Sequence, residues 1–333
     1  MKDYRNYSLK EHNTFGLDAR CCRFLEYESE DEAQRVAEIL RTEATPYIII
    51  GGGSNLLLTK NFDGIVVHSA IRGSEVEGNQ LKCGSGETWD DVVEYCLVKG
   101  LYGAENLSLI PGDVGASAVQ NIGAYGVEAK DFIKNVQAVE IATGEVKLFT
   151  NEECRYAYRQ SRFKQDWKNR YLITSVVYEF DPVFHPRLDY GNVRTELERR
   201  GIHEPTPQQL RQVIIDIRNA KLPDPKVMGN AGSFFMNPVV SRSRYEQLAS
   251  QYPDMPHYTV DAEHEKIPAG WMIEQCGWKG KALGRAGVHG RQALVLVNLG
   301  GATGNEIVDL YQTIQKDVKQ KFDIEIYPEV NVI

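Results

Sequence analysis

Two glycine-rich runs hold the residues best suited, by type and spacing, to grip a ligand through the main chain. The first is Gly51-Gly52-Gly53-Ser54-Asn55. Consecutive glycines let backbone N–H groups converge on an anion with no Cβ in the way, which makes a phosphate-binding concavity. A tight turn between strands is the other reading of the same residues. The second run, Pro111-Gly112-Asp113-Val114-Gly115-Ala116-Ser117, continues into Gln120-Asn121-Ile122-Gly123-Ala124-Tyr125-Gly126 and puts four glycines and two side-chain amides into 15 residues. Such a surface admits a flat ligand close to the backbone, and two of them in one chain suit a large cofactor with a pyrophosphate. Neither is a Rossmann fingerprint. GxGxxG needs glycine at position 56, where Leu56 stands, and a helix afterwards, where Leu56-Leu57-Leu58 reads as strand. No GxxxxGK(S/T) loop is present either, so a dinucleotide here requires a different fold.

The elements that must position these loops are legible in part. CRFLEY (22–27) reads as a strand, and Ser29 with Glu32 as a helix-capping box. Ala33, Val36, Ile39 and Leu40 follow at helical spacing, and Tyr47-Ile48-Ile49-Ile50 has the β-branched run of a fully buried strand. Together these predict a βαβ unit leading into the first glycine loop. IVVHS (65–69) reads as strand, and a helix starting near Thr88 buries Val92, Val93 and Leu97. Short strands dominate residues 130–181, in VQAVEIA, EVKLFT and YLITSVVYEF. Prolines 182, 186, 205 and 207 mark an irregular excursion around LDYGN, followed by a helix over 207–220 and a breaker-rich junction, KLPDPKVMGNAG. Near the end, Thr303 and Glu306 form a second capping box before Ile307, Leu310, Tyr311, Ile314 and Val318 on one helical face. Phe322–Ile326 reads as a strand before Pro328-Glu329-Val330. The class is mixed α+β with several small domains.

Composition narrows the function. A chain of 333 residues holds roughly two or three domains. Its 38 basic and 46 acidic side chains give a net charge of -8, which argues against a nucleic-acid binder that must displace counterions with a basic face. No run approaches the roughly 18 apolar residues of a membrane span, and the N-terminus lacks the apolar core of a secretory signal, so no membrane partner and a cytoplasmic location are expected. The cysteines, Cys21, Cys22, Cys83, Cys96, Cys154 and Cys276, contain no CxxC pair and no zinc-ligand spacing with histidine. They read as reduced thiols, with Cys21–Cys22 structural rather than a strained vicinal disulfide. No metal site is expected, and a monomer is the simplest assembly.

Seven motifs in order, NTFG (13–16), GGGSN (51–55), PGDVGASAVQNIGAYG (111–126), YRQSRF (158–163), KLPDP (221–225), GNAGSFFMNP (229–238) and PEV (328–330), span nearly the whole chain. The set resembles the UDP-N-acetylenolpyruvoylglucosamine reductase family, flavoenzymes of peptidoglycan synthesis; the excursion around Tyr190 resembles the longer, type I form. The resemblance implies an α+β fold: an FAD-binding fold of the vanillyl-alcohol-oxidase (PCMH) type made of two α+β subdomains, plus a C-terminal α+β substrate-binding domain. The expected divisions are 1–70, completed by 320–333, then 71–218 and 219–319. It also implies NADPH as hydride donor, a UDP-sugar enolpyruvate as substrate, and non-covalent FAD, since no histidine is placed to tether it. The expected cofactor contacts are Gly51, Gly52, Gly53, Ser54, Asn55, Pro111, Gly112, Gly115, Ser117, Asn121, Gly123 and Tyr125.

Carried over by motif position, Arg159 of YRQSRF, Ser233 of GNAGSFF and Glu329 of PEV are the implied catalytic residues. Tyr190, Lys221, Asn237, Lys279 and Gln292 are the implied substrate contacts. Met236 departs from the pattern, since relatives often carry a basic residue there, and Asp113 is given no role. The chemistry suits the residue types. Reduction of a carbon–carbon double bond conjugated to a carboxylate develops negative charge on that carboxylate and on the adjacent carbon. Arginine offers a carboxylate two parallel bonds and keeps its charge, a serine hydroxyl can deliver the proton, and a protonated glutamate can hydrogen-bond the enol. Taken singly, the three residues read as an ion-pair arginine, a turn serine and a solvated acid. A flavin oxidase or dehydrogenase of the same fold is the alternative, which would keep both glycine loops without this trio; a non-catalytic nucleotide-sugar binder is a third reading.

Overall fold

A computed structural model of residues 1–333 divides the chain between two units, one comprising 1–7, 21–52 and 62–220, the other 8–20, 53–61 and 221–333.

In the first unit the predicted strand–helix–strand is present as Arg20–Tyr27, Glu30–Thr42 and Tyr47–Ile50, but Phe62–Ser69 lies between the two strands and runs parallel to both. Tyr47–Ile50 is therefore the sheet's edge and only half-buried, not the fully buried strand its composition suggests. One neighbour and one covered face leave it partly open, and β-branching does not distinguish the two cases. The helix buries Ala33, Val36, Ala37 and Leu40 against Leu25, Ile65 and Val67. Ser29 Oγ accepts from the Glu32 N–H at 3.2 Å, whereas the Glu32 carboxylate bonds the Glu28 N–H at 2.7 Å, so the capping box is not reciprocal.

The unit's other sheet is antiparallel, in the order Val146–Thr150, Ile133–Glu140, Tyr171–Glu179, Gln80–Gly84 and Ser74–Glu77. The helix Trp89–Lys99 buries Trp89, Val92, Val93, Cys96 and Leu97, and the Trp89 indole donates to Leu107 O at 3.0 Å. The proline-marked excursion contains a helix the sequence pattern does not announce, Val193–Arg199. It buries only Val193 and Leu197, against Leu210, Val213 and Ile214 of the helix Pro207–Lys221. Two apolar residues among arginines and glutamates are too weak a periodic signal to read. Arg211, buried on Pro207–Lys221, ties that pair back to Asp90 at 2.7 and 3.1 Å.

In the second unit an antiparallel sheet, Asn230–Ser233, Val295–Asn298, Ala286–Val288 and Ala282–Leu283, packs with the helix Gly304–Phe322. Here the capping box is reciprocal: Thr303 Oγ1 accepts from Glu306 N–H, and the Glu306 carboxylate accepts from Thr303 N–H at 2.8 Å. The predicted face is buried through Ile307, Leu310, Ile314 and Val318. The strand expected over 322–326 does not form. The helix runs on through Phe322 to a left-handed Asp323, and Ile324 and Ile326 are buried in the core without a β-ladder partner. Their alternation reflects burial of one side of an extended segment, a pattern that a strand shares. The last strand is Asn331–Val332, parallel to Leu56–Leu57. All six cysteines are free, and burial pushes the Cys21 thiol up to about 11.

Candidate functional site

In the first unit the second glycine run begins as a loop, forms the helix Val114–Gln120 and turns out of it at Asn121, whose φ is +47°. It continues as a two-stranded ribbon, Gly123–Ala124 against Val127–Glu128, with Tyr125 at φ +48° in the turn. Asn121 is fully buried. Its amide donates to Ala157 O at 2.8 Å and Glu128 Oε2 at 3.1 Å, and its Oδ1 accepts from Lys130 N–H at 3.0 Å. Ser117 is buried as well, bonded to Val114 O at 2.7 Å and to the Tyr178 hydroxyl at 2.9 Å. These two side chains hold the run in shape; what the run can offer a ligand is its backbone.

Gly51 and Gly52 lie against the same run. A Cβ on Gly51 would come within 2.7 Å of Ala116 Cβ, and one on Gly52 within 3.1 Å of Asp113 Oδ1 and 3.3 Å of Gly112 Cα. The glycines are thus required first by close approach of the chain to itself. That approach leaves paired stretches of main chain with little side-chain cover, the arrangement a diphosphate needs.

YRQSRF is fastened to this run. Ala157 and Gln160 exchange two backbone bonds of 3.0 Å, forming a tight turn with Tyr158 and Arg159 at its tip and Arg159 left-handed at φ +55°. Ser161 Oγ donates to Val119 O at 2.7 Å, and Lys164 Nζ donates to Gln120 Oε1 at 2.7 Å and Arg159 O at 3.0 Å. The Arg159 guanidinium donates to the carbonyls of Gly123 and Asn121 and lies over the Tyr158 ring. Gly123 makes room for it: a Cβ there would sit 2.7 Å from Arg159 Nη1.

Sequence reasoning missed Arg218. Its Nε is buried with no hydrogen-bond partner. Burial first, and the neighbouring Arg159 charge as well, lower its basicity, while Tyr125 and Asp90 oppose the shift. A guanidinium with a buried donor to spare, next to a second guanidinium, fits an anionic ligand. The available signal was its place on Pro207–Lys221, four residues after buried Ile214 and seven after Arg211, a charge on the inward face of an amphipathic helix. Tyr190 packs at the same ribbon, since a Cβ on Gly126 would lie 3.2 Å from Tyr190 Cβ.

In the second unit Gly53-Ser54-Asn55, GNAGSFF and PEV converge. Ser233 is exposed at the end of Asn230–Ser233, where an irregular register and Gly232 at φ +68° turn the chain outward. Glu329 N–H donates to Phe234 O at 2.8 Å, and Phe235 bridges Pro328, so the serine and the glutamate lie on directly bonded segments. The Asn55 amide donates to Glu329 O at 3.2 Å, and Asn55 O accepts from Asn331 N–H at 3.1 Å.

NTFG, which has no chemistry of its own, is the brace. Thr14 N–H donates to Gly53 O at 3.1 Å and Thr14 Oγ1 to Asn230 O at 2.6 Å, while Asn298 donates to Phe15 O at 2.9 Å. Gly53 is left-handed at φ +70°, and a Cβ would fall onto the His12 carbonyl and 2.8 Å from Asn13 Cα. Gly53→Ala is therefore expected to destabilise the protein by about 2–4 kcal/mol, combining overpacking with a disfavoured φ. The measurement is the urea midpoint at unchanged m-value; an unshifted midpoint would show that the loop relaxes freely.

Among the residues expected at the substrate, Asn237 and Gln292 meet at the start of the helix Ala269–Gln275. Asn237 Oδ1 accepts from Ala269 N–H at 2.9 Å, and Gln292 Oε1 lies 3.2 Å from a Cβ on Gly270. Lys279 lies beyond that helix's other end, exposed and paired with Glu274 at 2.9 Å, and the next residue, Gly280, packs near Gly290, two residues before Gln292. Lys221 is exposed at the end of Pro207–Lys221.

The fold and the glycine loops define a flavoprotein: residues 23–150 match the FAD binding domain family, and residues 224–333 match the C-terminal domain of UDP-N-acetylenolpyruvoylglucosamine reductase. The chain is 51% identical over 335 residues, 99% of each chain, to UDP-N-acetylenolpyruvoylglucosamine reductase of Bacteroides fragilis. It is 44% identical over 339 residues, the whole of both chains, to the enzyme of that name from Flavobacterium johnsoniae. A crystal structure of the reductase from Thermus caldophilus, 21% identical, superposes with a TM-score of 0.69 over 99% of this chain and 98% of that one, which shows the shared fold. The chain belongs to the UDP-N-acetylenolpyruvoylglucosamine reductase family.

Proposed function

We propose that the protein reduces the enolpyruvyl group of UDP-N-acetylglucosamine enolpyruvate to give UDP-N-acetylmuramate, with NADPH as reductant and FAD as cofactor, in peptidoglycan synthesis. The observation that carries this reading is the exposed Ser233 beside Glu329, held together by the Glu329 N–H to Phe234 O bond. A flavin oxidase has no need of this pair. FAD, when bound, supplies hydride transfer; the main chain of Gly51, Gly52 and the run from Pro111 to Tyr125 would hold it.

The remaining tasks fall to side chains. Arg159, fixed by the Gly123 and Asn121 carbonyls, bonds the substrate carboxylate and stabilises the charge that develops on it. Ser233 Oγ delivers the proton to the carbon next to that carboxylate, and Glu329 bonds the enol form. Tyr190, Lys221, Asn237, Lys279 and Gln292 contact the nucleotide-sugar. Arg218, with its spare buried donor, adds a second cation for the anionic substrate. No helix is long and apolar enough to cross a membrane, and the enzyme works in the cytoplasm as a monomer.

A two-step spectral assay tests the function. NADPH should bleach the flavin, and the enolpyruvyl nucleotide-sugar should restore its colour in a ping-pong pattern. Recolouring by oxygen alone at the same rate would favour the oxidase, and a colourless protein that binds the nucleotide-sugar would favour a binding module.

A further inference from the structure

His68 stands between two carboxylates directly behind the first glycine loop. Its Nδ1 lies 2.9 Å from Glu26 Oε2 and its Nε2 3.3 Å from Asp113 Oδ2, and the ring is largely buried beside Phe24. An ionised carboxylate only accepts hydrogen bonds, so both ring nitrogens must carry protons for both contacts to be bonds, and the imidazole is then a cation.

Each neighbouring charge has a place in this arrangement. On the strand before Glu26, Lys2 already pairs with Glu26 at 2.6 Å, and Tyr7 faces the same carboxylate. The other parallel neighbour, Tyr47–Ile50, sets only Ile50 against His68. His68 is therefore the cation within reach of Asp113. Asp113, in turn, occupies the space that the missing Cβ of Gly52 leaves, 3.1 Å from where that atom would be. It also makes no capping bond to the helix Val114–Gln120 that follows. A bare carboxylate there would oppose a diphosphate resting on the two glycine runs.

We propose that His68 is a positioning residue for FAD: clamped between Glu26 and Asp113, it holds the Asp113 carboxylate in place and offsets its charge beside the glycine cradle, so that flavin affinity depends on the His68 proton. The proposal rests on the reading of Gly51-Gly52 and the Pro111 run as the diphosphate cradle. Burial alone would lower the basicity of His68, but its bonds to Asp113 and Glu26 raise it above the ordinary value by more than burial lowers it. The sign follows: the cation is complete below pH about 6.5 and is lost as pH rises through the raised value. Flavin binding should weaken over that interval and not below it.

The test uses the full-length chain, stripped of flavin and titrated with FAD between pH 6 and 10, with binding read from flavin fluorescence. In the wild type the Kd should rise by roughly tenfold across the His68 titration, the coupling that one pKa unit represents. His68→Gln should bind with the weak, high-pH Kd at every pH. Asp113→Asn should be insensitive to pH, and adding Asp113→Asn to His68→Gln should restore most of the lost affinity, a rescue that a merely structural histidine does not give. A flat wild-type profile, or a double variant as weak as His68→Gln, overturns the proposal while FAD binding itself stands. Wild-type protein that takes up no FAD at any pH overturns the cradle as well.

Discussion

Ser233→Ala is expected to leave reduction of the flavin by NADPH nearly intact while slowing transfer to the enolpyruvyl substrate by about 10²–10⁴-fold, the usual contribution of a positioned proton donor. The substitution is sterically mild. Ser233 is exposed at the end of its strand, its neighbours Phe234 and Phe235 are the buried anchors, and its backbone pairs with Val295 whatever the side chain. A fall confined to the second half-reaction therefore reports the hydroxyl. Equal loss in both half-reactions would make Ser233 a structural or cofactor-binding residue and remove it from the chemistry. Solvent deuterium should slow the wild-type oxidative half-reaction, because the proton comes from an exchangeable group, and should slow the variant's differently because water then has to deliver it.

What the sequence could and could not reveal follows from the range of the interactions. Thr303 with Glu306, and the face Ile307-Leu310-Ile314-Val318, are signals local to one helix and are found as read. The brace formed by NTFG is different in kind: Thr14 bonds Asn230, 216 residues away, and Phe15 bonds Asn298, 283 residues away. No periodicity encodes such partners, so these residues are recognisable only as a motif. Asn55 and Asn121 sit in ligand-shaped sequences, yet their amides are engaged with Glu329 O and Ala157 O. Residue type suggested binding groups, and the fold uses them to set loop shape. Ile324 and Ile326 alternate like a strand because one side of an extended segment is buried, and only the absent ladder partner distinguishes the two cases. Arg218 failed to stand out for the opposite reason: its meaning lies in an unpartnered buried Nε, a property of the folded surroundings.

Arg159→Lys keeps the charge, and it is nevertheless expected to lower kcat/KM by about 10²–10³-fold. Lysine carries a compact ammonium on a flexible stem and has no fork. Arg159 uses part of its fork on the carbonyls of Gly123 and Asn121 and lies over the Tyr158 ring, which fixes the plane in which the remaining N–H groups point. An ammonium reaching the same carbonyls would have no directed pair left for a carboxylate. The flavin spectrum and its reduction by NADPH should be unchanged, which separates this loss from cofactor loss. Gly123→Ala gives the companion test without touching the charge. Its Cβ would lie 2.7 Å from Arg159 Nη1 and 2.9 Å from Val127 O, so the guanidinium must move while remaining an arginine. If placement is what matters, Gly123→Ala should reproduce much of the Arg159→Lys loss in the same half-reaction. A fully active Arg159→Lys would refute bidentate recognition of the carboxylate, and an inert Gly123→Ala beside a dead Arg159→Lys would show that the fork acts without its backbone anchor.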